Sequence, residues 1–238
     1  MKKALLFLIL STSLFSITMT PLMKTVNSKK SKNMTFTVSN PTKNPVVVDF
    51  SALLLLETDN NKEVTKATQK VTVYPSAFSI PSKGTQKVRV RYMGSTLPEV
   101  EEVYRIIATE LDKKLQDETS GESKESVSAE IKIRFSYSGL LFVHKPNATP
   151  KLKIVDFEKV PTGGIKISIK NSGDASDVPT IKRYNFIVKM QNQLYKLTDD
   201  DLKKAEFRRV LAGKTNTFFL KNVQLPTGLI ESIVIEQK

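Results

Sequence analysis

Between Val71 and Leu111, apolar residues recur at every second position, and proline or glycine stops each run. Val71, Val73 and Tyr74 end at Pro75; Ser82-Lys83-Gly84 turns the chain; Val88, Val90 and Tyr92 then alternate with Lys87, Arg89 and Arg91. Leu97-Pro98 leads into Glu102-Val103-Tyr104. A period of two with such breaks demands half-buried antiparallel strands, because successive side chains on a strand point to opposite faces. The rest of the chain repeats the pattern without sustained helical periodicity, which predicts an all-β protein of two immunoglobulin-like β-sandwich domains in tandem.

Strands are expected at Met34 to Ser39, Val46 to Leu56, Lys70 to Tyr74, Gln86 to Tyr92, Val103 to Leu111 and Val127 to Val143. Asn40-Pro41, Asn44-Pro45 and Asp59-Asn60-Asn61 supply turns between them. A polar, proline-bracketed break follows at His144-Lys145-Pro146-Asn147-Ala148-Thr149-Pro150, dividing a first domain, 21–143, from a second, 144–238. In the second, strands are expected at Lys151 to Phe157, Ile165 to Lys170, Tyr184 to Met190, Leu194 to Leu197, Thr217 to Leu220 and Ile230 to Glu236. Only Thr198 to Arg209 reads as helix, with Thr198 as its cap and Asp199, Asp200 and Asp201 in its first turn.

Residues 1–20 carry a secretory pattern: Lys2-Lys3, an apolar run from Ala4 to Leu10, then small and polar residues, with cleavage expected between 16 and 20. The run is far shorter than the roughly 20 residues a membrane-spanning helix needs, so stable membrane insertion is not expected. Without the leader the chain keeps about 35 basic against 24 acidic residues, a balance of about +11. Outside the cytoplasm such a surface suits anionic polymers, lipid headgroups or acidic proteins. No nucleic-acid-binding motif accompanies the charge, so nucleic acid is not an expected partner. Cysteine is absent, which excludes disulfides, a thiol nucleophile and thiolate metal sites. The one histidine, His144, falls in the interdomain break, a poor place for a general base; no catalytic residue, cofactor or metal is expected.

Phe36-Thr37-Val38-Ser39-Asn40, Val71 to Pro75, Gln86-Lys87-Val88-Arg89-Val90, Leu97-Pro98 with Glu102 and Tyr104, and Ile131 to Tyr137 occur in a telling order. It resembles the N-terminal domain of periplasmic pilus chaperones of the chaperone-usher pathway. The resemblance covers most of residues 21 to 143; the second domain matches only as a generic sandwich. After Tyr137 the family often has Arg-Pro, where this chain has Ser138-Gly139. Gly139-Leu140-Leu141-Phe142-Val143 instead resembles the apolar segment of archaic-type members.

The resemblance implies a non-enzymatic chaperone that holds pilus or fimbrial subunits lacking their last strand. It donates a strand of its own and passes the subunits to an outer-membrane usher. Main-chain hydrogen bonds would supply affinity and alternate side chains would fill the subunit's groove. The donated strand would carry Val127, Ala129, Ile131, Ile133 and Phe135 on one face, with Ser128, Glu130, Lys132, Arg134 and Ser136 on the other. The polar segment before it, Asp112 to Ser126, is long enough to suggest a functional loop. The family fixes its client's C-terminal carboxylate with two basic residues, matched here by Lys24 and Arg134, since charge-assisted hydrogen bonds are the strong ones. Lys29, Lys30 and Lys32 stand close to Lys24 in sequence as alternatives. A client-free molecule could self-associate through its own sticky strand. The rival expectation is an exported structural or adhesive β-sandwich protein without chaperone activity, because fold alone does not settle function.

Overall fold

The computed structural model describes residues 17–28, 31–58, 62–111, 135–160, 163–191, 193–203, 205–221, 223, 225 and 228–238. The first unit contains β1 (Thr18–Thr20), β2 (Met23–Val26), β3 (Asn33–Ser39), β4 (Val46–Glu57), β5 (Glu63–Ala67), β6 (Val71–Tyr74), β7 (Ala77–Ile80), β8 (Thr85–Tyr92), β9 (Glu102–Leu111) and β10 (Ser136–Val143). They form one four-stranded sheet, β1-β3-β8-β6, and one six-stranded sheet, β2-β10-β9-β4-β5 with β7 on β4. The two layers enclose a core of Phe36, Val38, Phe50, Val88, Val90, Tyr104, Ile106 and Leu141, all essentially sealed from solvent. Met34, Phe36 and Val38 of β3 meet this core while the residues between them face outward, so the alternation seen in sequence is the burial pattern of the sheet.

The second unit contains β11 (Leu152–Lys159), β12 (Ile165–Asn171), β13 (Tyr184–Met190), β14 (Gln193–Lys196), α1 (Asp199–Leu202), β15 (Thr215–Leu220) and β16 (Ile230–Gln237). Its sheets, β11-β12-β15 and β14-β13-β16, close over a separate core that includes Ile167, Ile169, Phe186, Val188 and Leu220. The protein is therefore all-β, in two immunoglobulin-like sandwiches.

Four strands carry no legible signal in sequence. β5 is exposed at every residue, so it has no apolar face to betray it. β7 is short, and β1 and β2 divide a brief segment between the two sheets at Pro21. Ile17 and Met19 are buried in the first core, and β1 pairs with β3, so the expected cleavage window overlaps residues that belong to the sandwich.

The helix differs from expectation. Thr198 caps it, and the Asp201 carboxylate accepts the Thr198 backbone N–H at 2.8 Å, but only Asp199–Leu202 is helical. Glu206 adopts a φ of 45°, which breaks the helix. Phe207 then stacks on Phe186 at 5.3 Å and meets Phe218 edge-on at 5.1 Å. Burial of that aromatic outweighs the local preference for helix.

Two buried asparagines fasten loops to these frames. Asn40 donates its amide to the carbonyls of Asn44, Ile80 and Pro81 and accepts the Thr42 N–H at 2.9 Å. Asn171 donates to Ala175 and Val210 and accepts from Lys151 and Gly173. Asn40→Ala would leave carbonyls without donors in a water-excluded site, so thermal unfolding should show a loss of about 1–3 kcal/mol.

Candidate functional site

β10 is hydrogen-bonded to β9 along its whole length, with Ser136 opposite Thr109 and Val143 opposite Glu102. On its other side, β2 runs parallel and covers only Leu140 to Val143, opposite Met23 to Val26. Among the described residues, the backbone from Ser136 to Ser138 therefore has no strand on that side. The reason is the path of the N-terminal segment, which pairs with β3 as far as Thr20 and joins β10 only after Leu22. Gly139 sits under the crossing: a Cβ there would lie 2.7 Å from the Leu22 carbonyl oxygen. Such an uncovered edge offers peptide groups to an added strand.

The side chains of β10 that pack on the home core are Tyr137, Leu141 and Val143, which share one parity. Phe135 has the same parity and is half-buried, and its carbonyl accepts the Glu110 N–H at 3.0 Å. Val127, Ala129, Ile131, Ile133 and Arg134 lie outside the described residues, as does the segment from Asp112 to Ser126.

At its other end β10 enters a cleft between the two units. Phe142, with Leu55 and Val103, lies on the outer face of the six-stranded sheet, where Leu140 and Leu211 pack against them. The Arg209 guanidinium lies over the Phe142 ring, 4.5 Å from its centroid, and its Nη1 donates to the Ser176 carbonyl and hydroxyl at 3.2 Å each. Glu101 links the units by main chain and side chain, its N–H donating to the Asp174 carbonyl at 2.8 Å and its carboxylate accepting the Ser176 N–H at 3.0 Å. Burial raises the Glu101 carboxyl above its ordinary range, and the hydrogen bond from Ser176 only partly offsets this. His144 stands beside it, Nε2 at 3.9 Å from the carboxylate.

The cleft gathers cations. Its cavity, of about 490 Å³, is lined by Lys24, Arg183 and Arg209 together with Met23, Glu101, Phe142 and His144. Arg183 is paired with Asp177, whose side chain is 1 % exposed and also accepts the Tyr184 hydroxyl at 2.6 Å. Lys24 is exposed, and no hydrogen bond or ion pair engages it among the described residues. Its Cα partner across the ladder is Leu141. Phe135 is thus six positions away along β10, roughly 20 Å at strand rise. The basic residues that share the cavity with Lys24 come instead from the second unit. Arg183 and Arg209 sit in irregular segments with no motif around them, so nothing in sequence pairs them with Lys24.

Two other family-like positions differ in their surroundings. Glu102 accepts from Lys70 and from the Tyr104 hydroxyl, whereas Arg89 is exposed on the outer face of the other sheet. Ser138 and Gly139 fall inside β10, and the basic-proline pair that closes the strand is Lys145-Pro146, with Lys145 bridged to Glu99.

The family model for pili and flagellar-assembly chaperones, PapD N-terminal domain, matches residues 17–149. The chain belongs to that family. No curated protein sequence matches it. Solved structures share the fold over nearly the whole length. In the CsuC-CsuE chaperone-tip subunit complex of archaic Csu pili from Acinetobacter baumannii, the matched chain is 16% identical with a TM-score of 0.57, covering 94% of this chain and 98% of its own. A chain of the chaperone-tip adhesin complex of CFA/I fimbriae biogenesis gives 16% identity, a TM-score of 0.57 and coverage of 93% and 98%. The class 5 fimbriae chaperone CfaA gives 14%, 0.56 and the same coverage, 93% and 98%. The family is one of chaperones rather than an enzyme class.

The buried carboxylate at the joint makes the chaperone's stability pH-dependent in a definite direction. Because the folded state holds the Glu101 proton more tightly than the unfolded chain, protonation favours folding below the ordinary glutamate range, and that advantage is lost as pH rises through the raised folded-state value. Glu101→Gln keeps an acceptor for the Ser176 N–H and removes the charge. Its melting temperature at neutral pH should equal or exceed that of the wild type, and its pH dependence just above the ordinary glutamate range should be flatter.

Proposed function

We propose that this protein is a periplasmic chaperone that captures pilus or fimbrial subunits by donor-strand complementation and delivers them to an outer-membrane usher. The observation that carries this reading is the edge of β10 from Ser136 to Ser138, uncovered among the described residues, on a strand whose other end enters the cation-lined cleft at Lys24. A subunit lacking its last strand exposes an apolar groove and unpaired peptide groups. An edge strand satisfies both needs at once: its backbone completes the ladder while alternate side chains fill the groove. Val127, Ala129, Ile131, Ile133 and Phe135 supply those side chains, in the parity that Tyr137, Leu141 and Val143 use toward the home core. The lent strand then prolongs the chaperone's own apolar interior into the subunit.

The subunit's C-terminal carboxylate is assigned to Lys24, whose ammonium has no ion pair or hydrogen bond among the described residues, with Arg183 and Arg209 adding positive potential from across the cleft. Arg134, on the polar parity of the donated strand, is the second anchor assigned to that carboxylate, as the family resemblance implies. Fixing the tail end of the guest sets its register, because a one-residue slip would present the wrong face. Handover requires no nucleotide if the final subunit-subunit pairing is the more stable one.

Tagged chaperone purified from periplasm should carry a fibre subunit with it. Lys24→Ala removes a charge-assisted hydrogen bond and should lower capture by roughly ten- to a hundredfold, with unaltered melting of the free protein. Ile131→Asp places an unpaired charge in the groove and should abolish capture. Wild-type subunit yields from both variants would refute the assignment.

A further inference from the structure

The Asp and Glu residues of this chain are segregated: none occurs in residues 1–48 or 64–98. Those two stretches build the whole β1-β3-β8-β6 sheet, so none of its strands contains a carboxylate. Val88, Val90 and Tyr92 of β8 turn inward, leaving Lys87, Arg89 and Arg91 in an exposed row about 7 Å apart along the strand. None of the three has an ion pair among the described residues. Arg89 stands between Thr35 and Tyr74 in the ladder, and Arg91 between Asn33 and Thr72, so hydroxyl, amide and phenol groups flank the cations. Tyr74 is 78% exposed and is the only large side chain with apolar surface that these strands point outward.

We propose that this face docks on the surface of an anionic phospholipid bilayer. Three cations about 7 Å apart with no carboxylate in the sheet sum to a local positive potential that draws an external anionic surface. The choice of lipid over an acidic protein follows from what the face lacks. A specific protein interface is organised around a desolvated core of aromatic or aliphatic anchors. Here the outward positions are threonine, serine, asparagine, lysine and arginine with a single tyrosine. A bilayer needs no such core. Its phosphates rearrange laterally beneath fixed cations, each basic side chain near the surface contributes separately, and a lone tyrosine suits the headgroup layer, where one end is apolar and the other wet. The binding is peripheral and reversible, and it is independent of subunit capture.

The test is co-sedimentation of the full-length mature protein with vesicles of equal parts phosphatidylglycerol and phosphatidylcholine, against phosphatidylcholine alone, at low and at physiological salt. Partition onto the anionic vesicles, weakened by salt and absent on the neutral ones, is expected. The triple variant Lys87→Gln, Arg89→Gln, Arg91→Gln should partition roughly a hundredfold less, at about fivefold per cation. The charge-keeping variant Lys87→Arg, Arg89→Lys, Arg91→Lys should bind like the wild type. A triple of equal charge loss on the second unit, Lys151→Gln, Lys153→Gln, Lys170→Gln, should change partition by less than about twofold, because exposed charges more than a Debye length away are largely screened. All of these positions are exposed, so melting temperatures should coincide and report intact folds. Failure to bind anionic vesicles, equal loss in the two neutralised triples, or full binding by the first would overturn the proposal. So would loss of an acidic protein partner, rather than of vesicles, in the first triple.

Discussion

The short parallel ladder between Met23–Val26 and Leu140–Val143 governs what the first sandwich can offer. Were β2 longer at its N-terminal end, it would cover Ser136 to Ser138 and close the sheet as an ordinary sandwich does. Instead the chain spends Thr18–Thr20 on the opposite sheet and passes over Gly139 before joining β10. One segment therefore seals the core with Ile17 and Met19, leaves an edge uncovered among the described residues, and brings Lys24 to the mouth of the cleft. Edges of this kind are usually blunted, and here the blunting stops at a defined residue.

The joint between the sandwiches combines a small apolar contact with directional polar ones. Leu55, Val103 and Phe142 give the first unit an outward apolar spot, and Leu211 with the Arg209 guanidinium covers it. Glu101 reaches across to Asp174 and Ser176. Relative motion of the units would expose apolar surface and break hydrogen bonds around a buried carboxylate, so the geometry of the cleft is held by several unlike interactions rather than one.

Much of this was legible in the residues, and the parts that were not share a cause. β3 and β8 follow from alternation because each has one wet and one dry face, whereas β4 and β9 alternate only in part, since Leu55 and Val103 are buried on the outer face. β5 escapes because all of it is wet. The segment after Leu202 reads as helix, yet Phe207 is claimed by Phe186 and Phe218, a demand made by residues distant in the chain. The site divides in the same way. Lys24 is reachable through the resemblance of the first unit, whereas Arg183 and Arg209 arrive from the second unit through contacts that no local pattern records. Arg134, the other expected anchor, lies outside the described residues.

A sandwich has only two broad sides, and this one assigns them opposite characters. The strand edge and the cleft belong to one layer, while the carboxylate-free expanse belongs to the other. A molecule resting on its cationic back would hold its working rim up toward the aqueous space, where incoming guests arrive. Attachment and capture would then draw on different atoms, and neither would have to be released for the other to proceed.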